Sequence, residues 1–186
     1  MSSEAPSGLR CPPKKDRLSP RRRSTRFSER SASVGSEKAE GATALDASVI
    51  VAGLLSSHEH HGPAAAELAA LLAGPGGVIL PLQALVEAYS VMTRLPSPHR
   101  LSVKDALTIL ERSLRQRTTI VGLDGEEAWE LIEDLSQRQI AGATSYDGLI
   151  AACARKGGAQ RILTFNRAHF ERLAGTGLEI VVPGSS

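Results

Sequence analysis

The chain has 186 residues, with 22 Lys and Arg against 20 Asp and Glu, and only 3% of its residues are aromatic. That length suits one domain whose core Ala, Leu, Val and Ile must build. No apolar run reaches the roughly 20 residues of a membrane span, no short apolar h-region marks a secretory signal, and Cys11 and Cys153 fit no zinc spacing, so free thiols in a reducing cytoplasm are expected.

Charge divides the chain. Residues 1–40 hold ten Lys or Arg and five Asp or Glu, whereas residues 41–186 hold twelve and fifteen. The stretch "KKDRLSPRRRSTRFSERSAS" has too little apolar surface to offset the entropy of ordering. A disordered basic N-terminal extension is therefore expected over residues 1–40, and one folded domain over residues 41–186. The extension could contact nucleic acid; a linker, or a start assigned upstream of an initiator at Val34, is the plainer reading.

Within the domain, "TALDA" reads as a short buried strand and "SVIVAGLLSS" as a helix with Ser48 near its start. "GPAAAELAALLAG" is a second helix, with Pro63 in its first turn and Gly74 at its end. "GVIL" is a strand, followed by the helix "LQALVEAYSVMTRL", which Pro96 closes. "LSVKDALTILERSLRQ" starts from a Ser102 cap with Asp105 three residues on. The strand "TTIVGL" and the charged helix "GEEAWELIEDLSQRQ" come next. The remainder reads as loop "IAGATS", helix "YDGLIAACARKG", strand "RILTF", helix "RAHFERLAG" and strand "LEIVV". Short apolar strands alternating with helices predict an α/β fold, a three-layer α/β/α sandwich around a mainly parallel sheet.

In such sheets ligands gather at the carboxyl ends of the strands. Asp46 ends the first strand inside the apolar run "ATALDASVIV", where a carboxylate is costly unless something meets its charge. Asp147 opens a later helix, whose dipole favours an ionised acid. Asn166 directly follows "RILTF". Glu87 lies inside a helix, facing either solvent or a site. Each acid alone has a plain explanation as a cap or a solvated side chain. Converging on one rim they would repel each other and call for a hard cation such as Mg²⁺.

Taken in order, "LDASVIVAGLL", "LVEAYSVMTRL" and "YDGLIAACARKGGAQRILTFNRAHF" resemble the PIN domain, and more closely the VapC-type toxins of bacterial toxin–antitoxin pairs, over about residues 43–182. The resemblance implies a ribonuclease with an acidic, Mg²⁺- or Mn²⁺-dependent site. On it, Asp46, Glu87 and Asp147 are the metal-binding and catalytic acids, Ser48 is the hydroxyl companion of Asp46, and Phe170 is the apolar residue beyond the last motif. Thr164 and Asn166 stand where the family carries Thr-x-Asp. Asn166 departs from that pattern by one negative charge, which favours one stable metal over two. The resemblance further implies RNA, transfer RNA included, as substrate, a homodimer, and a cognate antitoxin that inserts a peptide into the acidic groove. Two rivals stand beside this reading: a PIN-like module that binds RNA or protein without cutting, which Asn166 favours, and a PIN nuclease of RNA maturation or DNA flaps. No Gly-x-Gly-x-x-Gly follows the first strand, so a dinucleotide fold is excluded.

Other features have plainer readings. "HEHH" at His58–His61 is expected to be a polar loop, since it matches no zinc spacing. His169 is assigned to the surface of the last helix, with phosphate contact as the alternative. Trp129 is expected to anchor the core or an interface. Arg94 and Arg167 are the candidate RNA contacts, against a default of solvated charge.

Overall fold

A computed structural model describes residues 41–173 and 177–185. The extension expected over residues 1–40, Cys11 included, lies outside the described residues. Five strands, β1 (Thr43–Leu45), β2 (Val78–Pro81), β3 (Thr119–Val121), β4 (Arg161–Leu163) and β5 (Glu179–Val181), pair in the order β3-β2-β1-β4-β5, and every pairing is parallel. The helices are α1 (Ala47–Leu54), α2 (His61–Ala73), α3 (Leu82–Arg94), α4 (Val103–Leu114), α5 (Gly125–Gln137), α6 (Thr144–Lys156) and α7 (Arg167–Leu173).

The inner strands are almost continuously apolar and buried, while β3 and β5 at the edges are partly exposed. That is the pattern of a parallel sheet covered on both faces. The helices group by contact as α1 with α2 and α3 with α4, linked through α1 and α3, and as α5, α6 and α7 around α6. Right-handed crossovers put the first group on one face and the second on the other, because the chain runs outward from β1 to β3 and then returns to β4 on the far side. The architecture is the α/β/α sandwich expected from the sequence, with a sheet that is entirely parallel.

Helix ends follow local chemistry. Ser102 Oγ accepts the Asp105 N–H at 3.1 Å to open α4, and Asp124 and Glu127 form a reciprocal capping box at the start of α5. Pro96 holds Leu95 extended (φ −53°, ψ 151°) and so stops α3 at Arg94. Gly74 closes α2 from an extended conformation (φ −75°, ψ 166°), without the left-handed turn common at such glycines.

Phe170 is fully buried, packed among Leu and Ile side chains from the sheet and helices. Of the two places expected for Trp129, core or interface, the core is ruled out, since 68% of it is exposed on α5. A helix that covers a sheet with one stripe leaves its outer face to solvent, and Trp129 falls on that outer face.

Candidate active site

Strand order sets where the site lies. The chain moves from β1 to β2 and β3 on one side, then to β4 and β5 on the other, so the order reverses at β1. At such a switch point the connections leaving two neighbouring strands diverge and open a crevice at their carboxyl ends. Leu45 pairs with Leu163 at the last register position of β1 and β4. Asp46 and Thr164, one residue further along each strand, therefore stand side by side in that crevice.

Asp46 is the single residue between β1 and α1. Its N–H continues the sheet by donating to Leu163 O at 3.0 Å, and its carbonyl accepts from Val49 and Ile50 in the first turn of α1. It occupies the helix cap position, but its side chain makes no capping bond. The carboxylate is instead 2% exposed and takes two hydroxyl hydrogen bonds on Oδ2, from Ser48 Oγ at 2.5 Å and from Thr164 Oγ1 at 2.7 Å. These charge-assisted bonds offset part of the cost of burying it. Ser48 Oγ in turn accepts the Phe165 N–H at 3.1 Å, and Thr164 Oγ1 accepts the Asn166 N–H at 2.9 Å. Both hydroxyls thus act as donor and acceptor, which fixes their orientation.

Two further acids reach Asp46 from opposite layers. Glu87 lies on α3 and Asp147 in the first turn of α6, which starts at Thr144, two residues before the sequence suggested; these helices pack against each other. Gly148 lets α6 sit close, since a Cβ there would lie 2.9 Å from Leu135 Cδ2. Burial pushes the Glu87 carboxyl above the ordinary carboxylate range, the charges of Asp46 and Asp147 push it further, and the Arg94 guanidinium partly opposes this. Burial likewise raises Asp147, a hydrogen bond from His169 lowers it, and the Asp46 charge raises it again. The net direction is upward, with burial the largest cause.

The structure therefore brings Asp46, Glu87, Asp147, Ser48 and Thr164 together. Asn166 sits at the rim: exposed, at the entry to α7, with its carbonyl accepting from His169 N–H at 3.0 Å. Arg94 is exposed and close enough to act on Glu87. Arg167 turns away from the acids, bonding Glu171 Oε1 and Ile180 O at 3.3 Å each. His169 belongs to the site more firmly than a surface assignment implies, because its Nδ1 lies 3.0 Å from Asp147 Oδ2. No spacing in the sequence signals this contact, which joins α7 to α6 across 22 positions.

Three oxygen ligands held by burial and mutual repulsion suit a hard divalent cation. Among the described residues no three His, Cys, Asp or Glu side chains are already closed around one ion position.

Comparison with known proteins bears on the family and the fold. The PIN domain profile matches residues 43–176. Ribonuclease VapC40 of Mycobacterium tuberculosis is 36% identical over 134 residues, which span 70% of this chain and 92% of that protein. Among solved structures, VapC20 of Mycobacterium tuberculosis, described as a Sarcin-Ricin loop cleaving toxin, aligns with a TM-score of 0.56 at 18% identity, covering 69% of this chain and 93% of its own. VapBC2 from Rickettsia felis, solved bound to a promoter DNA fragment, aligns at 0.55 with 17% identity, covering 76% of this chain and 98% of its own. At these identities the two structures speak for the fold.

Proposed function

This chain belongs to the PIN domain family, and on that premise we propose that it is a metal-dependent endoribonuclease, the toxin of a toxin–antitoxin pair. The family assignment rests on the profile match and on the VapC ribonuclease relative. The observation that carries the chemistry is the convergence of Asp46, Glu87 and Asp147 at the switch point of the sheet, where the Asp46 charge acts on both Glu87 and Asp147 and the Asp147 charge acts on Glu87.

Asp46, Glu87 and Asp147 would hold the cation, directly or through its waters. A bound Mg²⁺ or Mn²⁺ polarises a phosphodiester and makes water a competent nucleophile at neutral pH. The rest falls to the protein. Ser48 and Thr164 lock Asp46 in place through Oδ2, and His169 holds Asp147 through one of its oxygens. Arg94 partly balances Glu87 and, being exposed beside the acids, is the candidate phosphate contact. Asn166 completes the polar rim without adding charge, which favours one resident cation. In-line attack of water in such a site leaves a 3′-hydroxyl and a 5′-phosphate.

RNA is the substrate on this reading, with transfer RNA as one class. A cognate antitoxin is the expected protein partner; several solved structures of the same fold are toxin–antitoxin complexes, VapBC2 and the VapBC-1 pair of Haemophilus influenzae among them. A homodimer in the cytoplasm completes the reading. It is supported by exposed apolar side chains such as Val86, Leu107 and Ile120 along α3, α4 and β3, and no helix among the described residues is long and apolar enough to cross a membrane.

The deciding experiment incubates purified protein with total cellular RNA in Mg²⁺, in Mn²⁺ and in EDTA, beside Asp46→Ala. Discrete cuts that need metal and vanish in the variant are expected. Folded, antitoxin-free protein that cuts nothing would replace this reading with an RNA-binding module, for which the amide at Asn166 is the structural argument.

A further inference from the structure

The histidine-rich loop between α1 and α2 plays no part in the chemistry above, yet its rings reach the site. His58 and His60 have ring centroids 5.8 Å apart at 47°, and His60 stacks on Phe165 at 4.9 Å and 24°. The row ends at the acids. Phe165 lies between Thr164 and Asn166, its N–H donates to Ser48 Oγ, and Ser48 donates to Asp46 Oδ2. Two hydrogen bonds thus connect the backbone that carries the stacked ring to the buried carboxylate.

These histidines are not arranged around an ion. His58 Nδ1 accepts the His60 N–H at 3.2 Å, and His61 Nδ1 is held by Ala52 O at 2.9 Å, which turns each of these nitrogens toward the backbone. What His60 builds is a near-parallel stack on Phe165, with His58 tilted beside it. The His60 side chain is 51% exposed, while Phe165 is half-buried and braced by the core. The stack is therefore rigid beneath and open above.

From this we infer that the His60–Phe165 stack is a base-binding subsite, which takes an unpaired nucleobase of the RNA beside the phosphodiester held at the acids. The proposal deepens the ribonuclease reading and rests on it. Planar side chains hold splayed-out bases by stacking, whereas bases paired in a duplex offer no free face. A grip on bases also answers an electrostatic difficulty. Residues 41–186 carry twelve Lys or Arg against fifteen Asp or Glu, and the site itself is acidic, so backbone attraction alone is weak. Stacking needs no charge. The subsite selects single-stranded or looped RNA at the point of cutting.

The test uses the full chain. In an Asp147→Asn background, which prevents turnover, binding of a short mixed-sequence single-stranded RNA is followed by fluorescence anisotropy with Mg²⁺ present. His60→Ala is expected to weaken binding about tenfold, within the range of one lost base–aromatic stack, and His60→Tyr to restore it. In the cutting chain, His60→Ala raises KM by a similar factor and leaves kcat nearly unchanged. The thermal midpoint should stay the same, because His60 is exposed. Binding by His60→Ala within twofold of its parent, or His60→Tyr as weak as His60→Ala, overturns the subsite. The two readings fail separately: binding that depends on His60 without any cutting by the wild-type chain refutes the ribonuclease, while metal-dependent cutting indifferent to His60 refutes only the subsite.

Discussion

At the scale of single residues, the site stores an electrostatic conflict. The Glu87 and Asp147 carboxyls are raised from ordinary values of 4.5 and 3.8. A carboxyl raised on folding favours the fold when protonated. Its contribution is complete below the unfolded value and is lost as pH rises through the higher folded value. The metal-free protein should thus carry a penalty at neutral pH that disappears in acid. Asp147→Asn is expected to abolish cleavage while keeping or raising the thermal midpoint in EDTA at pH 7.5, a gain that vanishes below the ordinary value of 3.8. A midpoint lowered at pH 7.5 would contradict the repulsion. At Asp46 the buried carboxylate depends on its two hydroxyl donors, Ser48 and Thr164. Thr164→Val should destabilise by about 1–3 kcal/mol, the cost of leaving a buried acceptor short of a donor, and chemical denaturation measures it. His169→Ala should reduce cleavage about 10–100-fold, the usual scale for a group that orients a metal ligand; unchanged cleavage would reduce the 3.0 Å contact to a surface ion pair.

Whole elements show which local signals governed the fold. The capping box at Asp124 and Glu127 lies far in sequence from every site residue, so it separates helix stability from catalysis. Asp124→Ala is expected to cost about 0.5–2 kcal/mol, as lost caps do, with cleavage unaltered at temperatures where the variant is folded. The ends of α3 and α4 were legible for the same reason, since Pro96 and Ser102 act on their immediate neighbours. The start of α6 was less so. "IAGATS" contains Gly and Ala in a pattern that reads as loop, yet Thr144 and Ser145 already belong to the helix, and packing against α5 and α7 decides such a boundary. For Trp129 the sequence left core and interface open, because hydrophobicity alone does not say which stripe of an amphipathic helix meets the sheet. The apolar face of α5 that is buried holds Leu135, whereas Trp129 and Ile132 stay exposed.

For the molecule as a whole, binding of a cation only by the folded state should stabilise it. The thermal midpoint is expected to rise with Mg²⁺ by an amount that grows with concentration, corresponding to about 2.7 kcal/mol at a hundred times the dissociation constant. Asp46→Ala should show little of that rise; an equal response would place the cation elsewhere. Removing residues 1–38 should leave unfolding cooperative and the Mg²⁺ response intact, since every site residue lies beyond that segment.

The order of elements, the parallel sheet and the separate residues Asp46, Glu87 and Asp147 were all readable from the sequence, because strand and helix periodicity, caps and breakers are local properties of the chain. Their convergence was not. Asp46 and Thr164 are 118 positions apart, and only the pairing of β1 with β4 sets them side by side. Glu87 and Asp147 meet because α3 and α6 pack against each other across the crevice that the reversal of strand order opens. His169 and the His60–Phe165 stack belong to the same class: a ring's neighbour in space is fixed by the sheet order and the close packing of layers, and no spacing along the chain records it.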